Sequence, residues 1–123
     1  MRAFVFPGQG AQTIGMGQDL AVSYPAAKAV FEEVDDALGQ NLSGMIWNGD
    51  IDTLTLTANA QPALMATSLA ALRALEAEGL GLETASFVAG HCMGAFSPLA
   101  PAGGMPLACL FFPSSSSHTR TIV

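Results

Sequence analysis

The apolar positions of this chain fall into blocks of two periods. Ala3-Phe4-Val5-Phe6 is a short continuous apolar run closed by Pro7-Gly8-Gln9-Gly10, the pattern of a buried strand ending in a tight loop. From Pro25 to Leu38 the period becomes helical. Val30, Phe31, Val34, Ala37 and Leu38 share one face and Glu32, Glu33, Asp35 and Asp36 lie mostly on the other, with Pro25 in the first turn and Gly39 as the stop. A short helical piece is expected over 42–47 and a turn at Asn48-Gly49-Asp50. A longer helix is expected from Ala60 to Glu78, ending at Gly79. Leu64, Met65, Leu69, Leu72 and Leu75 among many alanines make it apolar nearly all round, hence buried. A strand at 86–89 and a helix beginning near Met93 complete the regular part.

Strand, loop, helix and then strand, turn, helix is the alternation of an α/β fold with a parallel sheet. Only two strands are well marked, with 108–112 a poor third, so the pattern predicts part of a sheet rather than a whole one. After residue 100 the composition changes. Four of the seven prolines fall between Pro98 and Pro113, no acidic residue follows Glu83, and Ser114 to Ser117 form a run. The expected division is therefore an ordered part over 1–100 and an irregular Pro/Ser-rich tail over 101–123. No internal repeat is evident.

A net charge of −6 and only four Lys or Arg residues (Arg2, Lys28, Arg73, Arg120) argue against nucleic-acid and anionic-membrane partners, since nothing would neutralise phosphates. No apolar run approaches the roughly 18 residues of a membrane span, and the first run is too short for a signal-peptide core, so a cytoplasmic protein is expected. Cys92 and Cys109 have neither metal-ligand spacing nor a disulfide framework, and in a reducing compartment both stay free.

The candidate chemistry lies at Gly90-His91-Cys92-Met93-Gly94, directly after a β-type run. This is the frame of a nucleophile elbow, G-x-S-x-G, with cysteine in place of serine. Flanking glycines leave room for a sharp strand-to-helix turn that exposes position 92. Free N–H groups of the following helix would face an oxyanion formed there. The alternative for Cys92 is a small buried thiol, which two flanking glycines make a poor fit. Gly8-Gln9-Gly10 could suggest a dinucleotide turn, but Thr13 stands where the third glycine belongs and no acidic ribose ligand follows. Glu32, Glu33, Asp35 and Asp36 read as a solvated helix face, Asp50 and Asp52 as turn residues, Met16, Met45 and Met65 as core fillers, and Trp47 as half-buried. His118 is expected to be inert.

Four stretches together, Phe6-Pro7-Gly8-Gln9-Gly10-Ala11-Gln12, Gly15-Met16-Gly17, Gln61-Pro62-Ala63-Leu64 and Val88-Ala89-Gly90-His91-Cys92-Met93-Gly94, resemble the malonyl-CoA:acyl-carrier-protein transacylase family. The resemblance covers about residues 1–100. It implies an α/β-hydrolase-like core, here incomplete, without the ferredoxin-like subdomain that the family inserts later in its chain. It implies that position 92 is the acyl-accepting nucleophile, that the backbone N–H groups of Gln9 and Met93 form the oxyanion hole, and that Gln61 lies near the cleft. The implied reaction is ping-pong: malonyl-CoA, or another acyl-CoA, acylates position 92, CoA leaves, and the thiol of acyl carrier protein takes the acyl group. No cofactor and no metal is expected.

Three departures bear on activity. The family's serine is Cys92. The arginine that pairs with the malonyl carboxylate has no matched position, and Arg120 falls in the unaligned tail. The catalytic histidine is unmatched too: His118 does not align with it, and His91 belongs to the elbow. The resemblance thus implies a truncated, weakly active or inactive transacylase. Two other readings stay open, a non-catalytic fragment that docks a partner and a generic α/β-hydrolase-like thioesterase. The latter calls for a downstream histidine and acid that are not visible.

Overall fold

A computed structural model describes residues 3–6, 10–80, 87–90 and 121–122. In chain order the elements are β1 (Ala3–Phe6), α1 (Gln18–Ser23), α2 (Pro25–Leu38), α3 (Leu42–Asn48), α4 (Ile51–Thr55), α5 (Thr57–Ala77), β2 (Phe87–Gly90) and β3 (Thr121–Ile122). The strands form a parallel sheet in the order β1-β2-β3. Register runs Ala3↔Phe87 to Phe6↔Gly90 between the first two, with Val88↔Thr121 and Ala89↔Ile122 at the second junction. Between β1 and β2 the chain crosses over through the helices, as parallel neighbours require.

Local chemistry sets the helix ends. Tyr24 is extended, as the residue before a proline prefers, and Pro25 opens α2 where a missing N–H costs nothing. At the other end Gly39 turns left-handed at φ +63°, while the N–H groups of Gly39 and Gln40 close onto the carbonyls of Asp36 and Asp35. Ala27, Val30, Phe31 and Val34 are buried at helical spacing. Leu38 is half-buried, but Ala37, expected on this face, is exposed in the last turn.

α5 starts three residues earlier than its apolar pattern suggests, with Leu56 as N-cap. Residues 62–66 are buried without interruption, which makes it the central helix of the described bundle. α2 packs on it, and Phe31, Val34, Leu42, Ile46, Leu54, Met65 and Leu69 fill the space between α2, α3, α4 and α5. Met65 is fully buried, and Met16, Met45 and Trp47 pack at the core's margin. No described helix is long and apolar enough to cross a membrane.

Two short helices carry no readable period. α1 buries only Ala21 and leaves Val22 82% exposed. α4 is capped by Asp50, whose carboxylate accepts from the Thr53 N–H at 3.4 Å, so the turn expected at this aspartate is a helix start. Asp35 also departs from the solvated helix face expected of it. It is half-buried and accepts from the Ser43 N–H at 2.9 Å and the Ser43 hydroxyl at 2.5 Å, tying α2 to the first turn of α3. The expected strand at 108–112, the helix near Met93 and most of the 101–123 tail lie outside the described residues; within that tail Thr121–Ile122 pairs as β3.

Candidate functional site

The parallel register fixes where a site can be built. β1 and β2 end side by side at Phe6 and Gly90, so both connections leave the sheet at its carboxyl edge, where open α/β sheets bind ligands. The strand expected over 86–89 is described as 87–90, which makes Gly90 of the elbow motif the last residue of β2. Gln9, Cys92 and Met93 themselves lie outside the described residues. Gln61 is described: it sits half-buried in the second turn of α5, immediately before Pro62.

The loop that follows β1 is described from residue 10, and it is held at its far end. The Gly15 N–H donates to the Ile46 carbonyl at 2.8 Å, and the Trp47 indole Nε1–H donates to the Met16 carbonyl at 3.1 Å. Gly17 follows at φ +77°, where a Cβ would come 2.7 Å from Phe31 Cζ. The Phe31 ring meets the Trp47 ring edge-on, with centroids 4.9 Å apart and planes at 66°. The motif Gly15-Met16-Gly17 is thus seated on α2 and α3. Sequence reading placed Trp47 as half-buried, which it is, but missed its role as a donor, since nothing in the sequence pairs residues 31 apart.

Two ion pairs lie along helices among the described residues. Arg73 pairs with Glu76 at 2.9 Å and Lys28 lies 3.9 Å from Glu32 on an exposed helix face, each worth a few tenths of a kcal/mol at most. No three described His, Cys, Asp or Glu residues gather as a metal-binding group.

Tyr24 carries the resolved electrostatic effect. Its hydroxyl donates to Glu78 Oε1 at 2.9 Å, joining the start of α2 to the end of α5. The hydrogen bond to Glu78 and the negative charge of that carboxylate hold the phenol protonated, raising its pKa above the ordinary 10.0. A raised folded-state value means that this contribution to stability is complete below the ordinary tyrosine pKa and is lost as pH rises through the folded-state value. Tyr24 is the chain's single tyrosine, so tyrosinate absorbance reads it alone. The titration midpoint is expected to lie above that of the urea-unfolded chain, and to fall toward it in Glu78→Ala. Equal midpoints in folded and unfolded chains would exclude the contact.

The parallel sheet and the helical crossover between its first two strands define an α/β class, and comparison with known proteins specifies it. The acyl transferase domain family matches residues 3–108, and the chain belongs to that family. The malonyl CoA-acyl carrier protein transacylase of Bacillus subtilis (strain 168) is 50% identical over 103 residues, which cover 84% of this chain and 32% of the relative. The crystal structure of an acyl-carrier-protein-S-malonyltransferase from Bartonella henselae superposes with a TM-score of 0.84 at 54% identity, over 89% of this chain and 36% of that one. A holo type II polyketide-synthase acyl-carrier protein in complex with its malonyl-transacylase matches with a TM-score of 0.74 at 40% identity, over 82% of this chain and 32% of that one. The chain therefore spans about a third of the length of the relatives it matches.

Proposed function

We propose that this chain forms the nucleophile-bearing part of a cytoplasmic malonyl-CoA:acyl-carrier-protein S-malonyltransferase of fatty-acid biosynthesis. Residues 1–100 contribute to an α/β-hydrolase-like parallel-sheet core, and 101–123 form a divergent segment. The observation that carries the reading is the register Phe6↔Gly90. Gln9 follows the first of these strand ends by three residues and Cys92 follows the second by two, spacings that support an oxyanion donor and a nucleophile at one sheet edge. Names of relatives supply the substrate class: malonyl-CoA as donor and acyl carrier protein as acceptor.

In the proposed reaction the Cys92 thiolate attacks the thioester carbonyl, and the backbone N–H groups of Gln9 and Met93 take the resulting oxyanion. Coenzyme A leaves as a thiolate and takes up the proton that Cys92 released. A thiol on the carrier protein then repeats the exchange in reverse. A cysteine needs less help than a serine, because a few per cent of an ordinary thiol is already ionised at neutral pH. Gln61 borders the cleft from α5 in this reading.

Selectivity provides the test. None of Arg2, Arg73 and Arg120 matches the family's carboxylate-binding arginine. Arg73 is engaged with Glu76 on α5. A malonyl carboxylate entering the site would lose water without gaining a planar two-pronged partner. Cys92 is therefore expected to be acylated slowly by malonyl-CoA and no faster than by acetyl-CoA, followed by intact mass over time. A malonyl preference of about tenfold, worth about 1.4 kcal/mol, would require a cation that the alignment does not supply. Absence of acylation from either donor would reject the reading.

A further inference from the structure

We propose that acyl transfer to Cys92 draws on neutral thioesters in preference to coenzyme A thioesters, because the charge of this chain repels the phosphates of coenzyme A. The inference rests on the function proposed above and concerns which donor serves that same sulfur. The chain holds 10 Asp and Glu residues against 4 Lys and Arg, a net charge of −6. Every carboxylate except Glu83 lies among the described residues, and Asp19, Glu33, Asp36 and Asp52 are exposed without an ion pair to either described cation. Those two cations are Lys28, which lies 3.9 Å from Glu32, and Arg73, which lies 2.9 Å from Glu76. Each therefore already has a carboxylate beside it.

Coenzyme A carries a phosphomonoester and a diphosphate, together about four negative charges at neutral pH. Arg2 and Arg120, the remaining cations of the chain, cannot match that charge even together. The repulsion does not depend on where Cys92 sits. A compact chain of 123 residues has a radius of gyration of about 14 Å, while charges act over about 30 Å at roughly 10 mM ionic strength and about 8 Å at roughly 150 mM. In dilute buffer every point of the surface lies within reach of the whole net charge, and in physiological salt only near neighbours count. A thioester without a nucleotide, such as S-acetyl-N-acetylcysteamine, presents the same carbonyl and a similar leaving thiol but no charge. With either donor the Cys92 thiolate forms a C–S bond at the carbonyl carbon and the carbonyl electron pair moves onto oxygen. Collapse then breaks the old C–S bond, and the leaving thiolate takes up the proton that Cys92 released.

The test compares acetyl-CoA with S-acetyl-N-acetylcysteamine on the full chain, by peptide-resolved acetylation of Cys92. Each rate is divided by that of the same donor with a small uncharged thiol, the methyl ester of N-acetylcysteine. The ratio of the two normalised rates cancels the intrinsic reactivity of each thioester and the ionisation of Cys92, which salt also changes. The acetyl-CoA value is expected to lie about 2- to 10-fold below that of the neutral donor at roughly 10 mM ionic strength, and the gap to close by roughly 300 mM. Glu33→Lys combined with Asp36→Lys, at two exposed positions of α2, moves the net charge by two steps of +2, from −6 to −2, and should narrow the gap in dilute buffer. Equal normalised rates in dilute buffer, or a gap that neither salt nor the double substitution narrows, would overturn the inference. An acetyl-CoA value that is the higher of the two and falls with salt would overturn it as well, by revealing a cationic seat for the phosphates. Absence of Cys92 acetylation from both donors would overturn the proposed function, and this inference with it.

Discussion

Gly17→Ala is expected to lower the stability of the domain by about 2–5 kcal/mol. Two costs add. Backbone at φ +77° costs an L-residue about 1–2 kcal/mol, and a Cβ 2.7 Å from Phe31 Cζ and 3.3 Å from Thr67 Cγ2 forces a packed region apart at about 1–3 kcal/mol. Phe31 has little room to yield, since it is 2% exposed and braced by Trp47. Gly39→Ala separates the terms: φ is +63°, but nothing lies within 4 Å of the added carbon, so only the conformational cost of about 1–2 kcal/mol remains. Urea midpoints of the two variants should therefore differ clearly. Equal midpoints would mean that Gly17 is not pressed against Phe31.

Cys92→Ser is expected to reduce acylation at position 92 by about 100-fold or more, although it restores the residue of the family's motif. A serine hydroxyl is almost wholly protonated at neutral pH and depends on a neighbouring base to become a nucleophile. The sequence offers no matched histidine for that task. A thiol retains part of its reactivity unaided, so cysteine is the more reactive residue in this chain. Intact-mass time courses with acetyl-CoA check this, and a serine variant that acylates as fast as the parent chain would show that a base is present.

What the sequence disclosed follows from how local each signal is. The limits of α2 were readable to the residue, because Pro25 and Gly39 act on their own backbone and the apolar spacing of Val30, Phe31 and Val34 is unambiguous. The left-handed turn at Gly79 likewise followed the stop expected at the end of α5. α1 and α4 were not readable, because six and five residues hold too few buried positions to set a period. Asp35 and Trp47 escaped for another reason. Their partners, Ser43 and Met16, are brought to them by packing, and a carboxylate on a helix face or a tryptophan in a short helix carries no mark of the contact it will make. The glycine-framed motifs after β1 and β2 were legible in the sequence. That the two strands preceding them end side by side is a matter of strand pairing, and only the register between β1 and β2 supplies it.

The central claim is that the chain presents Cys92 as an acyl acceptor, and the most direct measurement is where an acyl group goes. The folded chain, incubated with acetyl-CoA at neutral pH and digested under conditions that preserve thioesters, is mapped by mass spectrometry at both of its cysteines. The account predicts acetylation of Cys92 well ahead of Cys109, with the difference lost when the chain is unfolded in urea. Acetylation of Cys109 at an equal or greater rate in the folded chain would contradict it.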